Sequence, residues 1–82
     1  MKLVLVTRQG CHLCDEALSL LRSVGREPEL ADVDADDRLH DLYAWRVPVV
    51  LVDGRVVAEG KITRGQLEMG WEEATRPPSH PG

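Results

Sequence analysis

The chain predicts an α/β domain with the element order β-α-β-α-β-β-α, a four-stranded mixed sheet with helices on both faces. Three observations carry this. Cys11-His12-Leu13-Cys14 stands between an apolar run and an amphipathic helical pattern. A second strand pattern follows that helix, and a strand–helix–strand unit in one sheet implies a right-handed crossover with parallel strands. Asp53-Gly54 separates two further apolar runs, a two-residue hairpin signal that makes the later strands antiparallel.

Residues 2–7 contain Leu3-Val4-Leu5-Val6, as expected of a strand covered on both faces. Thr7-Arg8-Gln9-Gly10 leads to the cysteines, and a helix is expected over residues 12–24. Leu13, Ala17, Leu20, Leu21 and Val24 fall on one stripe of it. Gly25 supplies the stop, and Pro28 keeps the helix from resuming. Residues 29–34 read as the second strand. Asp34-Ala35-Asp36-Asp37 offers N-cap carboxylates for a second helix, to which Leu39, Leu42 and Tyr43 give a narrow apolar face. Pro48 forbids its continuation, so residues 47–52 form a strand and Arg55 to Glu59 return antiparallel. Thr63-Arg64-Gly65-Gln66 fits a capping box. The last helix then turns Leu67, Trp71 and Ala74 inward and is weakened by Gly65 and Gly70. Trp45 and Trp71 are expected to pack, and His40 and His80 to lack partners.

One domain over residues 1–75 accounts for all of this. Residues 76–82 hold three prolines and are expected to form a disordered tail. Over the whole 82 residues the hydrophobic share is 43%, without phenylalanine, and the net charge is −4. Arginines are scattered singly, so no basic stripe for nucleic acid exists. The longest apolar run, four residues, cannot span a bilayer or form the core of a signal peptide. A monomer in a cytoplasmic, reducing compartment is expected, with no nucleic-acid or membrane partner.

That setting bears on the two cysteines. A bridge between Cys11 and Cys14 closes a very short loop, for which chain entropy gives only about 2 kcal/mol before strain. The pair is better explained by chemistry. C-x-x-C at a strand–helix junction makes a thiol–disulfide switch. At the helix start the Cys11 sulfur can accept backbone N–H bonds, so Cys11 is the expected nucleophile and Cys14, a turn deeper, the resolving thiol. A protonated His12 would favour the thiolate, although a solvated histidine at a helix start is the plainer reading. Asp15 and Glu16 suit the helix dipole but oppose a thiolate on Cys11, which points to a relatively reducing disulfide.

The run from Thr7 to Cys14, then Arg46-Val47-Pro48-Val49-Val50, Asp53-Gly54 and Glu59-Gly60, resemble the thioredoxin superfamily and its short glutaredoxin-like branch. Gly10-Cys11-His12-Leu13-Cys14-Asp15-Glu16-Ala17 is similar to a bacterial glutaredoxin-like subfamily. The resemblance implies a thioredoxin fold and thiol–disulfide oxidoreductase activity. It also implies a cis bond before Pro48, a Val47 backbone free to pair with a bound peptide or glutathione, a basic residue at Arg8, and Gly60 beside the site. No tightly bound cofactor is expected. Partners would be protein or glutathione thiols and disulfides, with a reductase the chain does not identify. Leu13 stands where glutaredoxins carry tyrosine, and Lys61 to Arg64 offer no carboxylate for the amino group of glutathione. Weak glutathione binding is therefore expected. Two other classes compete: a metal or iron–sulfur binder that borrows ligands from elsewhere, since two cysteines cannot close a tetrahedral site, and a non-catalytic, redox-sensing scaffold.

Overall fold

The β1 strand, Leu3–Thr7, lies at the centre of the molecule and is paired on both sides. The structure, a computed structural model, describes residues 2–75; the tail expected over residues 76–82 lies outside the described residues. The α1 helix spans His12–Ser23, β2 Glu29–Asp32, α2 Asp37–Tyr43, β3 Val49–Val52, β4 Arg55–Glu59 and α3 Arg64–Thr75. The sheet order is β2-β1-β3-β4. β1 runs parallel to β2 and antiparallel to β3, and β4 is antiparallel to β3. This is the mixed sheet that the sequence predicts.

Apolar residues on the two sheet faces build two cores. On one face Leu5, Val50 and Ala58 pack with Ala17 and Leu21 of α1 and Leu67 of α3. On the other, Val6, Val49 and Leu51 meet Val33 and Ala44, with Leu39 and Tyr43 of α2 laid against them. Alternation along the strands sends neighbouring side chains to opposite faces, so β3 is apolar throughout and β1 is apolar up to its last residue, Thr7.

Local boundaries follow from side-chain hydrogen bonds. β2 ends at Asp32, two residues earlier than expected. The Asp32 carboxylate accepts the Asp34 N–H at 2.9 Å and starts a 3-10 turn over Val33–Ala35. Asp36 then caps α2, accepting from Arg38 and Leu39. β3 begins at Val49, because Pro48 has no N–H for the ladder. α1 closes with paired bonds, Gly25 N–H to Arg22 O and Arg26 N–H to Leu21 O, the Schellman arrangement. In α3 the capping box is reciprocal: Gln66 N–H donates to Thr63 Oγ1, and Thr63 N–H to Gln66 Oε1. Asp53 and Gly54 both take positive φ, 51° and 83°, as the tight hairpin requires.

Three packing expectations need correction. The inward stripe of α1 is Cys14, Ala17 and Leu21. Leu13 is 37% exposed, because the cysteine takes the core position as a small hydrophobe. Leu42 is likewise exposed, leaving Leu39 and Tyr43 as the packed residues of α2. Trp45 does not pack at all, being 95% exposed, whereas Trp71 lies under the Arg26 guanidinium at 3.5 Å. Gly70 has a positive reason to be glycine. A Cβ there would stand 2.1 Å from the Val57 carbonyl oxygen, and Val57 is the extra residue where the β3–β4 register shifts.

Candidate active site at the Cys11–Cys14 turn

The site forms where β1 ends and α1 begins. Cys11 N–H donates to Arg8 O at 3.1 Å, closing a tight turn after the strand. Cys11 is the N-cap of α1, with extended backbone, and its Sγ accepts the Cys14 N–H at 3.1 Å. The two residues are joined by a disulfide, with Cα atoms 5.2 Å apart. Cys11 is half-buried, whereas Cys14 is only 3% exposed and belongs to the core. The helix start thus holds one sulfur toward solvent and one inside. A backbone donor aimed at the outer sulfur favours its anionic form.

The other predicted residues gather at the same end of the sheet. Val6 is paired with Val49, so the antiparallel step beyond them brings Thr7 beside Pro48. The Val47–Pro48 peptide is cis, as the resemblance implies, and Pro48 is buried. Gly60 N–H donates to Pro48 O at 2.9 Å, extending the β3–β4 ladder to that corner. Val47 is half-buried against the α2 side of the sheet. His12 opens α1 with an exposed side chain.

Arg8 is placed differently from a free anion-binding cation. Its Nε and Nη2 donate to the two oxygens of Asp34, each at 3.0 Å. This hydrogen-bonded pairing raises the Arg8 pKa and holds the Asp34 carboxyl below its ordinary value. His40 is not without a partner, since its Nε2 lies 3.9 Å from Asp34 Oδ1. His80 lies outside the described residues. Two further side chains at this end escape sequence reasoning. Arg46 donates through Nε to Glu59 Oε2 at 2.8 Å, with a second, shorter contact from Nη2, and lies 5.3 Å from the Tyr43 ring centroid. A pair 13 residues apart, like one 26 apart for Arg8 and Asp34, leaves no local signal.

A cavity of about 380 Å³ adjoins the cysteines, reaching from Arg8 and Gly10 past Cys14 and Asp15 to Leu30 and Asp32. Among the described residues no group of three or more His, Cys, Asp or Glu is placed to hold a metal ion, and no helix is long and apolar enough to cross a membrane.

A β-α-β-α-β-β-α sheet with a C-x-x-C turn at the first helix and a cis proline opposite it defines a thioredoxin-like protein. The glutaredoxin-like domain family (DUF836) matches residues 2–70, and the chain belongs to that family. Solved structures agree. The protein XcR50 from X. campestris is 30% identical with a TM-score of 0.75, over 90% of this chain and 99% of that one. Ne2328 from Nitrosomonas europaea is 31% identical with a TM-score of 0.72, covering 83% and 87%. The thioredoxin-like protein BC3987 is 27% identical with a TM-score of 0.66, covering 84% and 99%. No curated protein matches the chain.

Proposed function

We propose that this protein is a thiol–disulfide oxidoreductase with Cys11 as nucleophile and Cys14 as resolving thiol. One observation carries the reading: the outer sulfur accepts a helix-start N–H while its partner is buried one turn deeper. In the reduced protein the Cys11 thiolate attacks one sulfur of a substrate disulfide. That bond breaks, the departing sulfur leaves as a thiolate and is protonated by solvent, and a mixed disulfide remains on Cys11. Cys14 then loses its proton and attacks the Cys11 sulfur, releasing the second substrate thiol. The substrate gains two electrons, and the protein is left as the Cys11–Cys14 disulfide. A thiol reductant, from a reductase or glutathione, returns it to the dithiol.

Val47, Pro48 and Gly60 form the wall against which an extended substrate would lie, with the Val47 backbone as the pairing edge. His12 stands at the solvent side of the nucleophile. Glutathione serves as a weak partner in this reading, because Lys61 to Arg64 supply no carboxylate for its amino group, and a lost charge-assisted bond costs about 1.5–3 kcal/mol. A monomer acting in a cytoplasmic, reducing compartment fits a pair that must cycle.

The test is reduction of a model protein disulfide by the wild type and two variants. Cys11→Ser is expected to lose all exchange. Cys14→Ser is expected to retain a covalent adduct, mapped to Cys11 by mass spectrometry. An adduct on Cys14 in the Cys11→Ser protein, formed as fast, would reverse the roles.

A further inference from the structure

Arg8 is the one cation among the described residues lining the cavity beside Cys14, where Asp15 and Asp32 supply two carboxylates. Its backbone carbonyl accepts the Cys11 N–H, so residue 8 is tied through the main chain to the residue that carries the nucleophile. That charge is already engaged. The guanidinium fork meets both oxygens of Asp34 in bidentate geometry, and His40 Nε2 lies 3.9 Å from Asp34 Oδ1. Both partners are fixed by the fold. Thr7 pairs with Asp32 at the last rung of the parallel β1–β2 ladder. Arg8 follows the first strand, and Asp34 sits in the turn that Asp32 caps after the second.

We infer that Asp34 is a specificity-determining residue: by cancelling the charge of Arg8, a cavity-lining residue three positions before the nucleophile, it makes Cys11 disfavour anionic reaction partners relative to neutral ones. The inference rests on the dithiol reading for its biological meaning, but the charge effect itself can be read chemically. The pair is exposed on both sides, 35% for Arg8 and 48% for Asp34, so it adds little to folding stability and its loss is a clean electrostatic change. The low carboxyl pKa that Arg8 gives Asp34 keeps the pair ionised throughout the neutral range.

The experiment uses the full chain carrying Cys14→Ser, which leaves Cys11 as its sole thiol. Its alkylation rate is measured with iodoacetate, an anion, and with iodoacetamide, its neutral analogue. Adding Asp34→Asn, or Asp34→Ala as a second variant, is expected to raise the iodoacetate-to-iodoacetamide ratio about threefold or more, the size of one screened charge contact. The gain should shrink as salt rises from 0.05 to about 0.5 M, and Arg8→Gln alone, which leaves the Asp34 charge uncancelled, should lower the ratio below that of the Cys14→Ser parent. A ratio unmoved by both Asp34 variants, or one that Arg8→Gln does not lower, would overturn the inference. In the same Asp34 variants with both cysteines present, glutathione disulfide should gain on the neutral 2-hydroxyethyl disulfide by a similar factor. If the alkylation ratio moves and neither disulfide reacts, the charge inference stands and the oxidoreductase reading fails.

Discussion

Cys11 and Cys14 are chemically identical, and only their places on a helix separate them. Cys11 caps the helix, with a backbone N–H on its sulfur, and Cys14 is packed with the core. The same contrast distinguishes large side chains elsewhere. Leu67 is 2% exposed and anchors α3, whereas Trp45, the larger residue, is almost wholly in solvent. Trp45→Ala is therefore expected to change unfolding free energy by no more than about 0.5 kcal/mol, and Leu67→Ala to lower it by about 2–5 kcal/mol. Chemical denaturation of both variants checks this; a larger loss for Trp45 would mean that it is buried. At this scale the sequence was legible where chemistry is local. The cysteine pair, with one sulfur outward and one inward, follows from its spacing together with its place at a strand–helix junction. Arg8, by contrast, reads as an available cation until the fold brings Asp34 to it from 26 residues away. His40 reads as solitary for the same reason.

Elements were legible wherever hydrogen bonds close within a few residues. The Thr63–Gln66 capping box, the Gly25 helix stop and the Asp53-Gly54 hairpin all lie where the sequence put them. Helix faces were less so, because Leu13 counts as an apolar position while Cys14 takes the buried one. Gly70 shows a different limit. By propensity it is a weak point in α3, yet the helix approaches β4 so closely that Val57 O leaves no room for a methyl group. Gly65, in the same helix, faces open space. The two glycines should respond oppositely to alanine. Gly70→Ala is expected to destabilise by about 1–3 kcal/mol through overpacking, while Gly65→Ala should be neutral or stabilise by up to about 1 kcal/mol. Thermal unfolding of the pair reads this directly, and a stabilised Gly70→Ala protein would show that α3 stands further from the sheet.

The whole molecule assembles its site by topology. Placing β1 between β2 and β3 collects the C-terminal end of β1, the N-terminal end of β3 and the C-terminal end of β4 at one corner. Cys11, Pro48 and Gly60, separated by up to 49 positions in the chain, thus belong to one end of one sheet. The parallel β1–β2 pair and the β3–β4 hairpin could be reasoned from crossover geometry and turn chemistry, whereas the antiparallel β1–β3 pairing that joins them comes from the structure. The partners that bring charge to the corner could not, since ion pairs across loops carry no periodic signal. The proposed function requires above all a reversible couple: a dithiol and a disulfide of the same two residues, exchanging two electrons. Redox titration of the full chain tests it most directly, by equilibration in graded thiol–disulfide buffers and acid-quenched thiol labelling. A single reversible two-electron transition is expected, with Cys11 and Cys14 labelled or protected together and the protein monomeric throughout. Independent labelling of the two cysteines, or a disulfide that forms only between chains, would contradict it.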